Sequence, residues 1–232
     1  MKLLGIIVAM SLCFAVNAQN PIGAWEAKQN DIRAIWILTE SNLTIAYFKT
    51  DPATFLWTAG GDWSRIGDQI IINWEFDTQN PENVGTQTRT IIQIEEEKII
   101  WENRQWHRVD NGTPGLLTGA WLITGRKRNG DAITYSKPSV RRTMKILSGT
   151  HFQWIAYNTE TKEFFGTGGG TYTTEEGVYT ENIEFFSRDN NRVKDSLKFN
   201  YEVLEGNWHH SGKSSKGDPI YEIWSKRSAI DL

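Results

Sequence analysis

The stretch DSLKFNYEV places Leu197, Phe199, Tyr201 and Val203 on one side of an extended chain and Lys198, Asn200 and Glu202 on the other. Strict alternation of this kind predicts a half-buried β-strand. HFQWIAYN (151–158) and VYTENIEFF (178–186) alternate less cleanly but are rich in aromatic and β-branched residues, which suit a pleated surface. Turn formers separate such runs at short intervals, at Asn158 to Thr161, Glu176-Gly177, Glu205-Gly206 and Gly217-Asp218-Pro219. Glu95-Glu96-Glu97 reads as a solvated hairpin turn. No stretch carries a helical period, and the pattern predicts about eight strands in the C-terminal half and roughly seven or eight before it.

The strand pattern occurs twice. ILTESNLTIAYFKTDPATFLWTAGGDW (37–63) lies against ILSGTHFQWIAYNTETKEFFGTGGGTY (146–172), with Ile37 and Ile146, Phe55 and Phe164, and Trp63 and Tyr172 each 109 positions apart. The IAY triplets at 45–47 and 155–157 are 110 apart, which implies a one-residue adjustment on either side. The tripeptide GAW opens both copies, at 23–25 and 119–121. A period this long fits tandem domains, not a solenoid. Antiparallel meanders of this size close into up-and-down barrels because closure removes exposed edges. The expected fold is therefore all-β, with two tandem up-and-down antiparallel β-barrels over 19–109 and 119–228. The N-G and P-G steps of segment 110–118 make it the linker. Gly60-Gly61 and Gly168-Gly169-Gly170 fall at matching places and predict a bulge or corner in each copy.

The GAW opening, HFQWIAY, TGGGTY, YTENIEFF and the closing WHHSGKSSKGDPIYEIWSKR resemble bacterial lipocalin-like domains of secreted Bacteroidetes-type proteins, a family without assigned function. The resemblance is closer over 119–227 than over 23–109. It implies a calycin-type barrel, a secreted or periplasmic location and small-molecule binding, with Trp25 and Trp121 plugging one barrel end. It supplies no catalytic residue.

The first residues, MKLLGIIVAMSLCFAVNAQN, show the lysine, the short apolar run and the small-residue exit of a secretory leader over 1–18. Bulky Leu12 before Cys13, and the apolar residues after it, favour plain export over lipid attachment at that cysteine. Cys13 is the only cysteine, so the mature chain is expected to hold no disulfide or thiolate. The net charge of −3 is mild and mixed, and no later apolar run is long enough to span a bilayer. Neither nucleic acid nor a membrane span is expected, and no cofactor or metal. The expected partner is a small molecule, apolar or glycan.

WHHSGKSSKG (208–217) carries the densest candidate chemistry. A phosphate loop fails there because Asn207 stands where the motif needs glycine and no helix follows. His209 and His210 are neighbours on a strand, so they point to opposite faces and do not share a metal ion. Setting Trp101 against Trp208 and Trp106 against Trp224 leaves the second copy 11 residues longer between its tryptophans (16 against 5). Barrel-mouth loops commonly carry binding groups, so His209, His210, Ser214, Ser215 and Lys216 become ligand-facing candidates, against a plain hairpin tip. Trp208 and Trp224 offer lining or stacking surfaces, and Tyr172, after the glycine run, joins the set. Glu181 shares a face with Tyr179, Ile183 and Phe185, and a carboxylate there needs a partner, either Arg142 or a polar group of the ligand. Glu222, another charged residue amid a strand-like run, joins the candidates. The leading expectation is a non-enzymatic, exported protein binding a small, partly apolar molecule at the C-terminal mouth. The alternatives are a carbohydrate-binding accessory protein and an enzyme with His209 or His210 as general base near Glu181 or Glu222.

Overall fold

A computed structural model describes residues 20–127, 132–214 and 217–230. The leader expectation therefore lies outside the described residues, as do Ser215 and Lys216. The first barrel runs β1 (Gly23–Gln29), β2 (Ile32–Leu38), β3 (Asn42–Thr50), β4 (Ala53–Ile66), β5 (Gln69–Asp77), β6 (Gln87–Ile94), β7 (Lys98–Trp101) and β8 (Arg104–Asp110). Each strand pairs antiparallel with the next, and β8 closes on β1. The second barrel begins with β9 (Gly119–Lys127) and carries β10 (Thr134–Tyr135) as an added edge. It continues through β11 (Arg141–Leu147), β12 (His151–Asn158), β13 (Phe164–Glu175), β14 (Val178–Phe186), β15 (Ser196–Leu204), β16 (Asn207–Lys213) and β17 (Pro219–Lys226). Pairing of β17 with β9 closes it. The predicted tandem barrels are thus present. Among the described residues the only helical pieces are three-residue 3-10 turns, and none is long and apolar enough to cross a membrane.

The strand registers show which positions of the two copies are equivalent. Trp36 lies opposite Ile45 in the first barrel, and Lys145 lies opposite Trp154 in the second, a constant offset of 109. The IAY triplets are therefore not equivalent. Ile45 faces the first lumen, whereas Ile155 belongs to the apolar cluster between the barrels. A one-residue slip exchanges the two faces of a strand.

The glycine runs are bulges. Register shifts fall between Gly60 and Gly61 on β4 and between Gly169 and Gly170 on β13. A Cβ on Gly60 would stand 2.5 Å from Cζ of Phe76, and one on Gly169 would stand 2.6 Å from Cζ of Phe185. Glycine lets these rings cross the neighbouring strand into the inter-barrel core.

That core is built with an internal two-fold relation. Phe48 meets Phe185 and Phe76 meets Tyr157, both at 4.9 Å between ring centroids. Phe55 stacks on its own equivalent, Phe164, at 6.2 Å. Arg33 pairs with Glu184 at 2.6 Å, and its equivalent Arg142 pairs with Glu75, the equivalent of Glu184. Residues 109 apart exchange partners, as in the isologous interface of a two-fold dimer. At its centre Thr44 Oγ1 donates to Gln153 Oε1 at 2.7 Å, and Gln153 Nε2 donates to Thr58 Oγ1 at 2.8 Å. Arg227, just past β17, breaks the symmetry: its Nη1 and Nη2 each donate to one Glu75 oxygen at 2.6 Å. Burial alone would raise the Glu75 carboxyl, but the Arg227 and Arg142 charges outweigh it and hold the group below its ordinary value.

Trp25 and Trp121 are buried, and each indole N–H donates to the carbonyl four residues earlier (Pro21, Leu117) at 2.8 Å. Asp110 fixes the junction between the barrels. Its carboxylate accepts from Ser148 Oγ at 2.8 Å, from Thr150 Oγ1 at 2.6 Å and from the backbone N–H groups of Gly112 and Gly149, both at 2.9 Å.

Candidate functional site

Alternation on β11 sends Met144 and Ile146 into the inter-barrel core and turns Lys145 inward. Lys145 is 5 % exposed, and its Nζ meets Glu181 Oε1 at 2.7 Å in the lumen of the second barrel. The rings of Tyr179, Trp208, Trp224 and Phe199 surround the ammonium at 5.0, 5.0, 5.3 and 5.7 Å from their centroids. A buried cation is tolerable only with such compensation, a carboxylate on one side and aromatic faces around it. His210, 2 % exposed, lies opposite Glu222 across the β16–β17 pair, with Nδ1 3.4 Å from Glu222 Oε2. Burial, with the Lys145 charge behind it, pushes the imidazole below its ordinary value, which favours the neutral form. Burial alone would raise the Glu222 carboxyl, but His210 and Lys145 hold it low. Among the described residues, neither ring nitrogen of His210 completes a hydrogen bond, and the indole N–H groups of Trp208 and Trp224 have no hydrogen-bond partner.

Of the residues singled out by sequence, Trp208, Trp224, His210, Glu181 and Glu222 thus meet in one lumen. Tyr172 lines the same core, its hydroxyl donating to the Ser148 carbonyl at 2.6 Å. His209 is on the other face of β16, with Nδ1 2.7 Å from the Tyr221 hydroxyl. Ser214 belongs to the hairpin turn, where its N–H donates to the Asp218 carbonyl at 2.8 Å. Two expectations need correction. Arg142 does not pair with Glu181; it reaches Glu75 of the other barrel, and Lys145 supplies the Glu181 partner. Trp208 is not the equivalent of Trp101. Ile99 pairs with Trp106 and Trp208 pairs with Trp224, so the hairpin insertion is 9 residues (16 against 7), and His210 takes the place of Trp101. Sequence reasoning missed Lys145, whose position in the repeat pairs it with Trp36, an inward tryptophan of the first copy.

The first barrel opens at the corresponding end. A cleft of about 380 Å³ runs from the lumen residues Ile45, Ala59, Trp74 and Trp106 to a polar lip of Asp77, Asn80, Asn83, Glu102 and Arg104. Tyr47 and Trp57, cross-strand neighbours on β3 and β4, stack at 4.1 Å and 16° to form its aromatic wall. The Arg104 guanidinium is 5.3 Å from the Tyr47 ring centroid. Asp77 is occupied in shaping the lip: it accepts from the N–H groups of Gln79 and Asn80 at 3.0 and 2.8 Å and from Asn83 Nδ2 at 2.8 Å. At Glu102, desolvation raises the carboxyl above its ordinary value. Trp101 and Trp106 are buried in the cleft wall, and their indole N–H groups have no hydrogen-bond partner among the described residues.

Among the described residues, the second barrel does not repeat this aromatic wall. Ala156 and Gly166 stand at the positions of Tyr47 and Trp57, and Arg188 lies over the gap, its Nε donating to the Phe165 carbonyl at 2.8 Å. A Cβ on Gly166 would sit 2.5 Å from Arg188 Nε. The chain matches no family model and no curated protein.

Proposed function

We propose that this is an exported binding protein for a small, partly apolar molecule, held at the mouth of the N-terminal barrel. The observation that carries the reading is the open cleft whose walls are Tyr47, Trp57, Trp74, Trp101 and Trp106 and whose lip is polar. Its volume is at the lower end of small-molecule pockets, and aromatic walls with a few polar groups are their usual lining. The leader-like N-terminus and the lipocalin-like sequence features support the same reading. The sequence expectation was the C-terminal mouth; the Lys145–Glu181 pair in that lumen and Arg188 beside Gly166 favour the N-terminal one instead.

A second reading keeps the ligand in the C-terminal barrel. The unpartnered nitrogens of His210 favour it, and it requires Arg188 to swing aside. Native mass spectrometry of protein purified from its own host separates the two. The expected result is a bound small molecule that is absent from Trp57→Ala and present in His210→Ala. The reverse pattern moves the site to the C-terminal barrel, and an empty wild-type protein with no ligand-dependent change in tryptophan fluorescence overturns the binding reading.

A further inference from the structure

We infer that the C-terminal barrel carries a second site, independent of the N-terminal cleft, which holds a small molecule by an oxyanion such as a phosphate or a carboxylate. The offset between the two copies is 96 at GAW and 109 at Ile37 and Ile146, so the first hairpin of the second copy is 13 residues longer. β1 stays paired with β2 as far as Gln29 and Ile32, whereas β9 leaves β11 after Leu122 and Met144 and takes β10 as its partner. Where the strands part, residues of β9, β10 and β11 line a cleft of about 540 Å³. The inserted segment is fastened on both sides of it. The Ser136 N–H donates to the Thr124 carbonyl at 2.8 Å, and Arg142 Nε donates to the Ser139 carbonyl at 2.9 Å.

Among the described residues, every charged side chain lining this cleft is a cation: Arg126, Lys137, Arg141 and Arg142. Glu75 takes up Arg142, and Glu222, which also faces His210, lies 3.9 Å from Arg126. Four cations against those two carboxylates leave a net charge of +2. The excess sits on Lys137 and Arg141, which pair with no carboxylate among the described residues. The Arg141 guanidinium rests 4.7 Å from the Phe165 ring centroid, and both side chains are exposed, so their N–H donors are open to a ligand. Thr134, Ser136 and Thr143 add hydroxyl donors to the same lining. The first-barrel equivalents of Arg141 and Thr143 are Ile32 and Ala34, so this chemistry belongs to the second copy. A cleft lined by one sign of charge concentrates the opposite one, and a guanidinium fork matches an oxyanion in shape. Neutral and cationic molecules gain nothing from such a lining.

The test titrates the full chain at low salt with inorganic phosphate, glucose 6-phosphate and citrate, and separately with glucose and choline. Binding is read by calorimetry and by the backbone amide resonances of residues 132–143. At least one anion is expected to bind, to shift those amides and to lose affinity as salt is added, because exposed charges are screened. Lys137→Ala with Arg141→Ala should weaken it about tenfold or more, whereas Lys198→Ala, which removes an exposed cation on β15, should leave it unchanged. Lys137 and Arg141 are exposed, so circular dichroism should not change in the double variant. Binding of the phosphates without citrate, or the reverse, names the oxyanion and supports the site either way. Anion binding that survives the double variant, or that falls equally with Lys198→Ala, overturns the placement. Glucose or choline binding without any anion overturns the ligand class, and silence from all the probes overturns the site. The N-terminal cleft is decided separately, by the host-ligand experiment above.

Discussion

The two barrels share a scaffold and divide sharply inside it. Trp36, Ile72 and Trp101 of the first lumen are replaced at the same positions of the second by Lys145, Glu181 and His210. At the mouth, Tyr47 and Trp57 give way to Ala156 and Gly166, with Arg188 over the gap. The faces that pack the barrels together keep their exchangeable pairs. A duplicated sheet can hold its outer face fixed and vary its inner face, because alternation separates the two along every strand. One copy has an open aromatic mouth, and the other has an interior filled by its own charges.

The largest expected effect breaks the difference in the lumens. Lys145→Met leaves Glu181 buried without its cation and should cost about 3–5 kcal/mol in chemical denaturation. Lys145→Met combined with Glu181→Leu, which removes both charges of the buried pair, should recover most of that loss. A double variant as unstable as the single one would show that the cluster is needed for more than charge balance.

The next effect tests the symmetry of the interface. Glu75 holds Arg142, Arg227 and the Tyr157 hydroxyl with its side chain 12 % exposed, whereas the Glu184 side chain is 27 % exposed in its pair with Arg33. Glu75→Gln should cost about 2–3 kcal/mol, and Glu184→Gln about 1 kcal/mol or less. Equal losses would mean that Arg227 adds nothing to the contact.

The smallest effect is in the pH dependence. The folded-state value of His210 is below its ordinary 6.5, so on acidification the unfolded chain takes the proton first and stability falls from that value downward. A second loss follows below the ordinary carboxylate value of 4.5, because Glu75 and Glu222 are depressed in the fold and their contribution disappears as pH drops through their folded values. His210→Gln should flatten the first step and leave the Glu75 share of the second, read as melting temperature against pH. An unchanged first step would assign it to another group.

Much of this architecture was legible in the chain. Alternation in DSLKFNYEV, the repeated GAW and the paired glycine runs led to strands, to two barrels and to bulges, since each is a local consequence of strand geometry. The site was less legible. Inward direction could be read for Glu181, but its partner comes from β11, across the lumen, and only closure brings Lys145 to it. Matching tryptophan to tryptophan misplaced Trp208 by two positions, because the shared positions here are geometric and the residues on them have changed. The N-terminal cleft was passed over because its residues, Tyr47, Trp57, Trp101 and Arg104, come from separate strands and look like ordinary core when taken singly.

The most direct measurement compares the small-molecule content of the host-purified protein with that of a Tyr47→Ala, Trp57→Ala variant, which removes the aromatic wall as the second copy has done. The account predicts a folded variant that carries no ligand while the wild type carries one. A variant that keeps its ligand in full would contradict it.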